Sequence, residues 1–202
     1  MRTAYLLLGV LWLLVIAGAA YGFNRGFTSP RYTGSMSSDP ETSMSSSTLS
    51  LTSAAFENGG LIPAKYTCDE DRTLSPQLSI AGVPAGTKSL ALIMDDPDVP
   101  RALHADGMFD HWTLFNIPPH TGDIPEGGSA GVAGVNGAGK NAYTGPCPPP
   151  QYEPSEHRYF FKLYALDTEL ALQASASKAE VEQAMEGHVV ARTELMGRYK
   201  RR

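Results

Sequence analysis

The chain has only two cysteines, Cys68 and Cys147. That excludes a mini-protein built on several disulfides and leaves material for one bridge. An excess of positive charge is missing too: 16 basic side chains stand against 21 acidic ones, for a net charge of −5. Nucleic acid is therefore not expected as a partner. No closely spaced His-x-x-x-His pair occurs, so no metal site is expected. The run Gly134-Val135-Asn136-Gly137-Ala138-Gly139-Lys140-Asn141 falls short of a phosphate-binding loop. It lacks the Ser or Thr that would follow the lysine, and the proline-rich stretch after Tyr143 cannot form the helix that would hold phosphate. No cofactor is expected. No internal repeat is visible.

Long hydrophobic runs are also rare, and the main one lies at the N-terminus. After Arg2 the chain carries no charge from Thr3 to Asn24, with Leu6 to Ile16 the most apolar part. It fits a signal peptide with small residues at Ala17-Gly18-Ala19, or a membrane anchor of about 20 residues. Both place the rest of the protein in the cell envelope, exported: anchored and facing the periplasm or outside, or secreted if residues 1–27 are cleaved. Residues 28–48 are rich in Ser, Thr, Met, Pro and Gly without apolar periodicity. Such a composition cannot offset the entropy of ordering, so it reads as a tether. The folded body is expected at 49–202.

Within that body the strand signals are short and frequent. Leu49-Ser50-Leu51, Gln77–Ala81, Asp110–Ile117, Tyr159–Leu166 and Val189–Tyr199 read as strands, and Ile62–Cys68 as an extended segment broken by Pro63. Ser89–Met94 is uninterrupted apolar sequence, as in a strand buried on both faces. One helix stands out. Ser177-Lys178-Ala179-Glu180 is a capping box, Ala179–Met185 follows, and Gly187 closes it. His120–Gln151, rich in Gly, Pro, Ala and Asn, reads as a long loop. The sum is a mainly β domain of two packed sheets with a helix near the C-terminus.

The chemistry gathers around Asp95-Asp96-Pro97-Asp98-Val99-Pro100, where the apolar strand ends in a stiff, acidic turn. Asp96 and Asp98 read either as caps on turn amides or as the acidic wall of a ligand pocket. His111 and His157 both stand where strands begin. With Arg158 beside it, His157 points to a pocket for an anion or polar ligand. A serine hydrolase using these histidines and acids is an alternative, but no nucleophile stands out; Ser75 and Ser155 are unmarked. In an exported protein Cys68 and Cys147 would pair, closing a long loop worth about 4 kcal/mol; two separate buried thiols are the alternative.

Taken together, several stretches resemble the phosphatidylethanolamine-binding protein family, in its bacterial Raf-kinase-inhibitor-like branch. They are Tyr66-Thr67-Cys68, Ser75-Pro76, Asp96-Pro97-Asp98-Val99-Pro100, His111-Trp112, Asn116-Ile117-Pro118, Gly145-Pro146-Cys147-Pro148-Pro149, His157-Arg158-Tyr159 and Leu163-Tyr164-Ala165-Leu166-Asp167. Their order matches and they span most of Leu49 to Tyr199. The resemblance implies a β-sandwich of two antiparallel sheets with a small anion pocket at one end, for phosphate, acetate or a phospholipid headgroup. It places Asp96, Asp98, Pro100, His111, Gly145, Pro146, His157 and Tyr159 around that pocket. It implies a non-enzymatic binding protein. An inhibitor module that contacts a protease or kinase through the His120–Gln151 loop is the alternative. Val99 stands where many relatives carry Ala.

Overall fold

The computed structural model describes residues 48–202. The apolar segment expected at 1–27 and all but the last residue of the tether expected at 28–48 lie outside the described residues.

Among the described residues nine strands form two sheets, accompanied by one α-helix and one turn of 3-10 helix. The smaller has three strands in the order β1 (Ser50–Thr52), β3 (Leu78–Ala81), β6 (Asp123–Ile124). The larger has six, in the order β2 (Gly60–Leu61), β9 (Val189–Lys200), β8 (Glu156–Leu166), β4 (Ser89–Asp96), β5 (Phe109–Ile117), β7 (Val132–Ala133). All pairings are antiparallel except the two-residue contact of β2 with β9.

The main core lies between the sheets. Leu51, Leu78, Ile80 and Ile124 from the small sheet meet Leu90, Leu92, Met94, Trp112, Leu114, Phe161 and Leu163 from the large one. The other face of the large sheet is covered as well. There Ala91, Ile93, Phe115 and Leu166 pack against Val181 and Met185 of α1 (Lys178–Met185). This double cover is why β4 is buried at all eight of its positions. Successive side chains on a strand point to opposite faces, and each face of β4 has its own core. The helix starts as expected: the Ser177 hydroxyl accepts from the Glu180 amide while the Glu180 carboxylate accepts from the Ser177 amide.

Two stretches depart from the sequence reading. Ile62–Cys68 is not extended; Ala64–Tyr66 form one turn of 3-10 helix behind Pro63, which supplies the carbonyl for the Tyr66 amide. The His120–Gln151 segment is less open than a plain loop, because β6 and β7 tie parts of it to the two sheets. Inside it, the near-phosphate loop is wrapped around one side chain. Asn136 is buried, accepts from the amides of Ala138 and Lys140, and donates to the Ala142 carbonyl and the Thr144 hydroxyl. Gly139, at φ +72°, makes the tight return.

Candidate functional site

The C-terminal end of β4 carries two neighbouring carboxylates, and strand alternation separates them. Asp95 continues the face of Ala91 and Ile93, and meets Lys162 at 2.8 Å and Lys178 at 3.2 Å. Asp96 continues the face of Leu90, Leu92 and Met94, so it emerges at the end of the main core. β8 supplies His157 and Tyr159 on that same face; both are buried there with Phe161 and Leu163.

His111 reaches the face by an irregularity. The β4–β5 register runs regularly from Leu92↔Leu114 to Met94↔Trp112 and then resumes at Asp95↔Asp110. His111 is therefore the extra residue of a β-bulge, a feature that re-aims a side chain beside a site. Its ring packs edge-on against Tyr159 at 5.2 Å and Phe109 at 4.8 Å.

The polar geometry is closely specified. Asp96 Oδ1 accepts from the Asp98 amide at 2.8 Å and Oδ2 accepts from His157 Nδ1 at 2.7 Å. The aspartate thus serves both as a turn cap and as part of a pocket wall. Because the carboxylate accepts, His157 carries a proton on Nδ1, and Nε2 is the atom left for a ligand. That Nε2 is buried and has no protein partner, and neither does the Tyr159 hydroxyl. Burial, reinforced by the Asp96 charge, holds the Tyr159 phenol far above its ordinary range, so it remains a donor. His111 donates from Nδ1 to the Thr144 carbonyl at 2.5 Å. Burial pushes its pKa below the ordinary 6.5. A neutral His111 in that tautomer offers a lone pair at Nε2.

A cavity of about 280 Å³ opens on this end, lined among others by Asp96, His111, His157 and Gly145. Val99, Leu103, Phe109, Pro148 and Pro149 give it an apolar wall, and Arg72 and His104 add polar groups to the lining. Of the residues expected around the pocket, these four lie at the cavity surface. Tyr159 stands behind the His111 ring. Pro100 and Pro146 lie in the lining loops without facing the cavity. Asp98 is turned away: its two oxygens hold the Arg158 amide, Nε and guanidinium at 2.7–2.9 Å.

That pair corrects the expectation for Arg158. It lies one position from His157 on a strand, so it points to the opposite, exposed face. The cation at the cavity is instead Arg72, exposed and, among the described residues, in no ion pair. Arg72, Phe109, Asn136 and Thr144 were not singled out in the sequence. Nothing local marks them: their roles follow from loop packing and from the bulge. Sequence reading also passes over Gly127-Gly128-Ser129-Ala130-Gly131, which spells a nucleophile-elbow pattern. Ser129 is exposed in irregular chain between β6 and β7, with no helix after it, so it lacks the strand–turn–helix setting of an elbow.

Cys68 and Cys147 form a disulfide across 79 residues of chain. It joins the Cys68–Arg72 segment to the Gly145–Pro149 loop. Two backbone bonds reinforce the join: Gly145 N to Arg72 O at 2.7 Å and Cys68 N to Pro146 O at 3.0 Å. A Cβ at Gly145 would fall 2.2 Å from the Tyr66 carbonyl, so this approach requires glycine.

Fold and site thus define a β-sandwich protein with a small pocket, walled on one side by a histidine–aspartate pair. The sequence profile of the phosphatidylethanolamine-binding protein family matches residues 52–200, and the chain belongs to that family. A UPF0098 protein of Methanothermobacter thermautotrophicus is 48% identical over 160 residues, covering 76% of this chain and 99% of the relative. Among solved structures, a phosphatidylethanolamine-binding protein homologue of Chlamydia trachomatis is 42% identical, with TM-score 0.72 over 78% of this chain and 100% of its own. E. coli YbcL, described as a member of the mammalian family, is 28% identical, with TM-score 0.67 over 76% of this chain and 99% of its own.

Proposed function

We propose that this protein is a non-enzymatic binding protein of the cell envelope whose cavity takes a small anion, such as a phosphate or a phospholipid headgroup. The observation that carries the reading is His157 Nε2, a buried polar atom with no protein partner on a residue that lines the cavity. A buried polar atom left unmatched costs about 1–3 kcal/mol, so a site that keeps one there is suited to a polar ligand. Asp96 fixes the His157 tautomer and would stabilise an imidazolium facing an anion. His111 can accept from a protonated phosphate or an ammonium.

Binding without turnover fits the state of the candidate reactive groups. Both Asp96 oxygens are engaged, and Cys147, the one sulfur lining the cavity, is held in the disulfide. The envelope location is supported by that disulfide, since such bonds persist in oxidising compartments, and by the apolar N-terminal sequence. The apolar wall of Val99, Leu103 and Phe109 suits a ligand that carries carbon beyond its charged group.

Histidine NMR signals of the purified protein, followed during titration with phosphate and with phosphoethanolamine, test this reading. The His111 and His157 signals should move and saturate, while exposed His188 stays still. Equal small drifts of all histidines at millimolar ligand would refute it.

A further inference from the structure

Among the described residues the cavity has one cation free of an ion pair, and its place depends on a covalent staple. We infer that Arg72 selects doubly charged anions over singly charged ones, and that the Cys68–Cys147 disulfide holds Arg72 in position for this. The inference rests on the anion-binding reading above and adds a charge class and two positioning residues to it.

The cavity wall itself offers no fixed positive charge. His157 is committed at Nδ1 to Asp96, and His111 is kept neutral by burial. Arg158, Lys162 and Lys178 are tied to Asp98 and Asp95. Arg72 alone brings a guanidinium to the lining without a carboxylate partner among the described residues. The acids next to it in sequence point elsewhere. Asp69 holds the Tyr199 hydroxyl and the Arg202 amide, and Asp71 holds Thr73; Glu70 is exposed. A planar fork of donors fits phosphate and carboxylate oxygens alike, so the discrimination comes from charge: a dianion gains about twice the Coulomb attraction to the guanidinium that a monoanion does.

Position is the second half of the inference. Arg72 sits in an irregular loop with no strand or helix to fix it. Its backbone is fixed through its neighbours. The Arg72 carbonyl takes the Gly145 amide, and four residues earlier Cys68 is bonded to Cys147. Arg72, Gly145 and Cys147 all line the cavity. The staple therefore couples the cation to the Gly145–Pro149 loop, which lines the same cavity. Without it, a surface loop would keep the charge near the cavity but lose the geometry of the fork.

The test titrates the full-length protein with inorganic phosphate, at a pH where phosphate is a dianion, and separately with acetate. Arg72→Gln should weaken phosphate about tenfold, the loss expected for one charge-assisted contact, and acetate by less than about threefold. Arg72→Lys should recover part of the phosphate affinity. Cys68→Ser/Cys147→Ser should lower the phosphate-to-acetate preference in the same direction, with the His111 and His157 signals of the free protein unchanged. If wild type binds neither anion, the anion-binding reading fails. If wild type binds both and Arg72→Gln keeps the same preference, the selectivity inference is overturned, and this exposed substitution leaves folding intact. If only the double serine variant keeps the preference, the staple has no positioning role.

Discussion

Asp95 and Asp96 are adjacent in sequence, both buried, and have opposite fates. On one face of β4, Asp95 is enclosed by Lys162 and Lys178, and Lys178 also reaches Asp110 at 3.1 Å. There charge meets charge and nothing is left for a visitor except one carboxylate oxygen. On the other face Asp96 holds a histidine whose second nitrogen has no protein partner. The difference lies in what each face is packed against. Helix α1 closes the Asp95 side and delivers Lys178, whereas the Asp96 side opens at the end of the sandwich. On one face the polar groups hold the fold, and on the other His157 keeps a nitrogen without a protein partner at the cavity.

Breaking the closed side should give the largest effect on stability. Asp95→Ala removes the buried carboxylate shared by Lys162 and Lys178 and leaves Lys178, 12% exposed, with Asp110 alone. It should lower unfolding free energy by about 3 kcal/mol, as for other buried pairs broken from one side. Chemical denaturation measures the loss, and phosphate affinity of the folded fraction should be unchanged. The open side should behave the other way. Asp96→Asn keeps the shape but not the charge, so it should cost about 1 kcal/mol of stability and weaken phosphate at least about tenfold. Equal losses in both properties for the two variants would erase the distinction.

Acidity sharpens the comparison at His111. Its folded pKa lies below the ordinary 6.5, first because of burial. As pH falls below that value the unfolded chain takes up the proton first, so the unfolded state gains and stability declines. Denaturation midpoints should therefore fall between neutral pH and about pH 5, and His111→Gln should flatten that slope. The smallest effect is expected at Arg158. Its pair with Asp98 is half exposed on the arginine side, and Arg158→Gln should cost less than about 1 kcal/mol with no change in phosphate affinity.

The sequence showed where chemistry gathers, because strand ends, prolines and histidines are local signals. β4 was legible from its unbroken apolar run, α1 from its capping box, and β5, β8 and β9 from their length. Four things were not. The bulge at His111 arises from pairing with β4, which no local pattern of β5 encodes. The exchange of Arg158 for Arg72 follows from strand alternation on one side and from a long-range loop contact on the other. The turn at Ala64–Tyr66 hides in a segment that reads as extended apart from the break at Pro63, and that break begins a 3-10 turn. Asn136 looked like part of a failed phosphate motif, and it is the buried hub that places Thr144 against His111.

The central claim is that His157, oriented by Asp96, meets an anion through Nε2. The direct measurement is calorimetric phosphate binding by the wild type and by His157→Ala, with the fold of the variant checked by chemical denaturation. The account predicts saturable binding in the wild type that is weakened at least about tenfold in a folded His157→Ala. Binding unchanged in His157→Ala would contradict it.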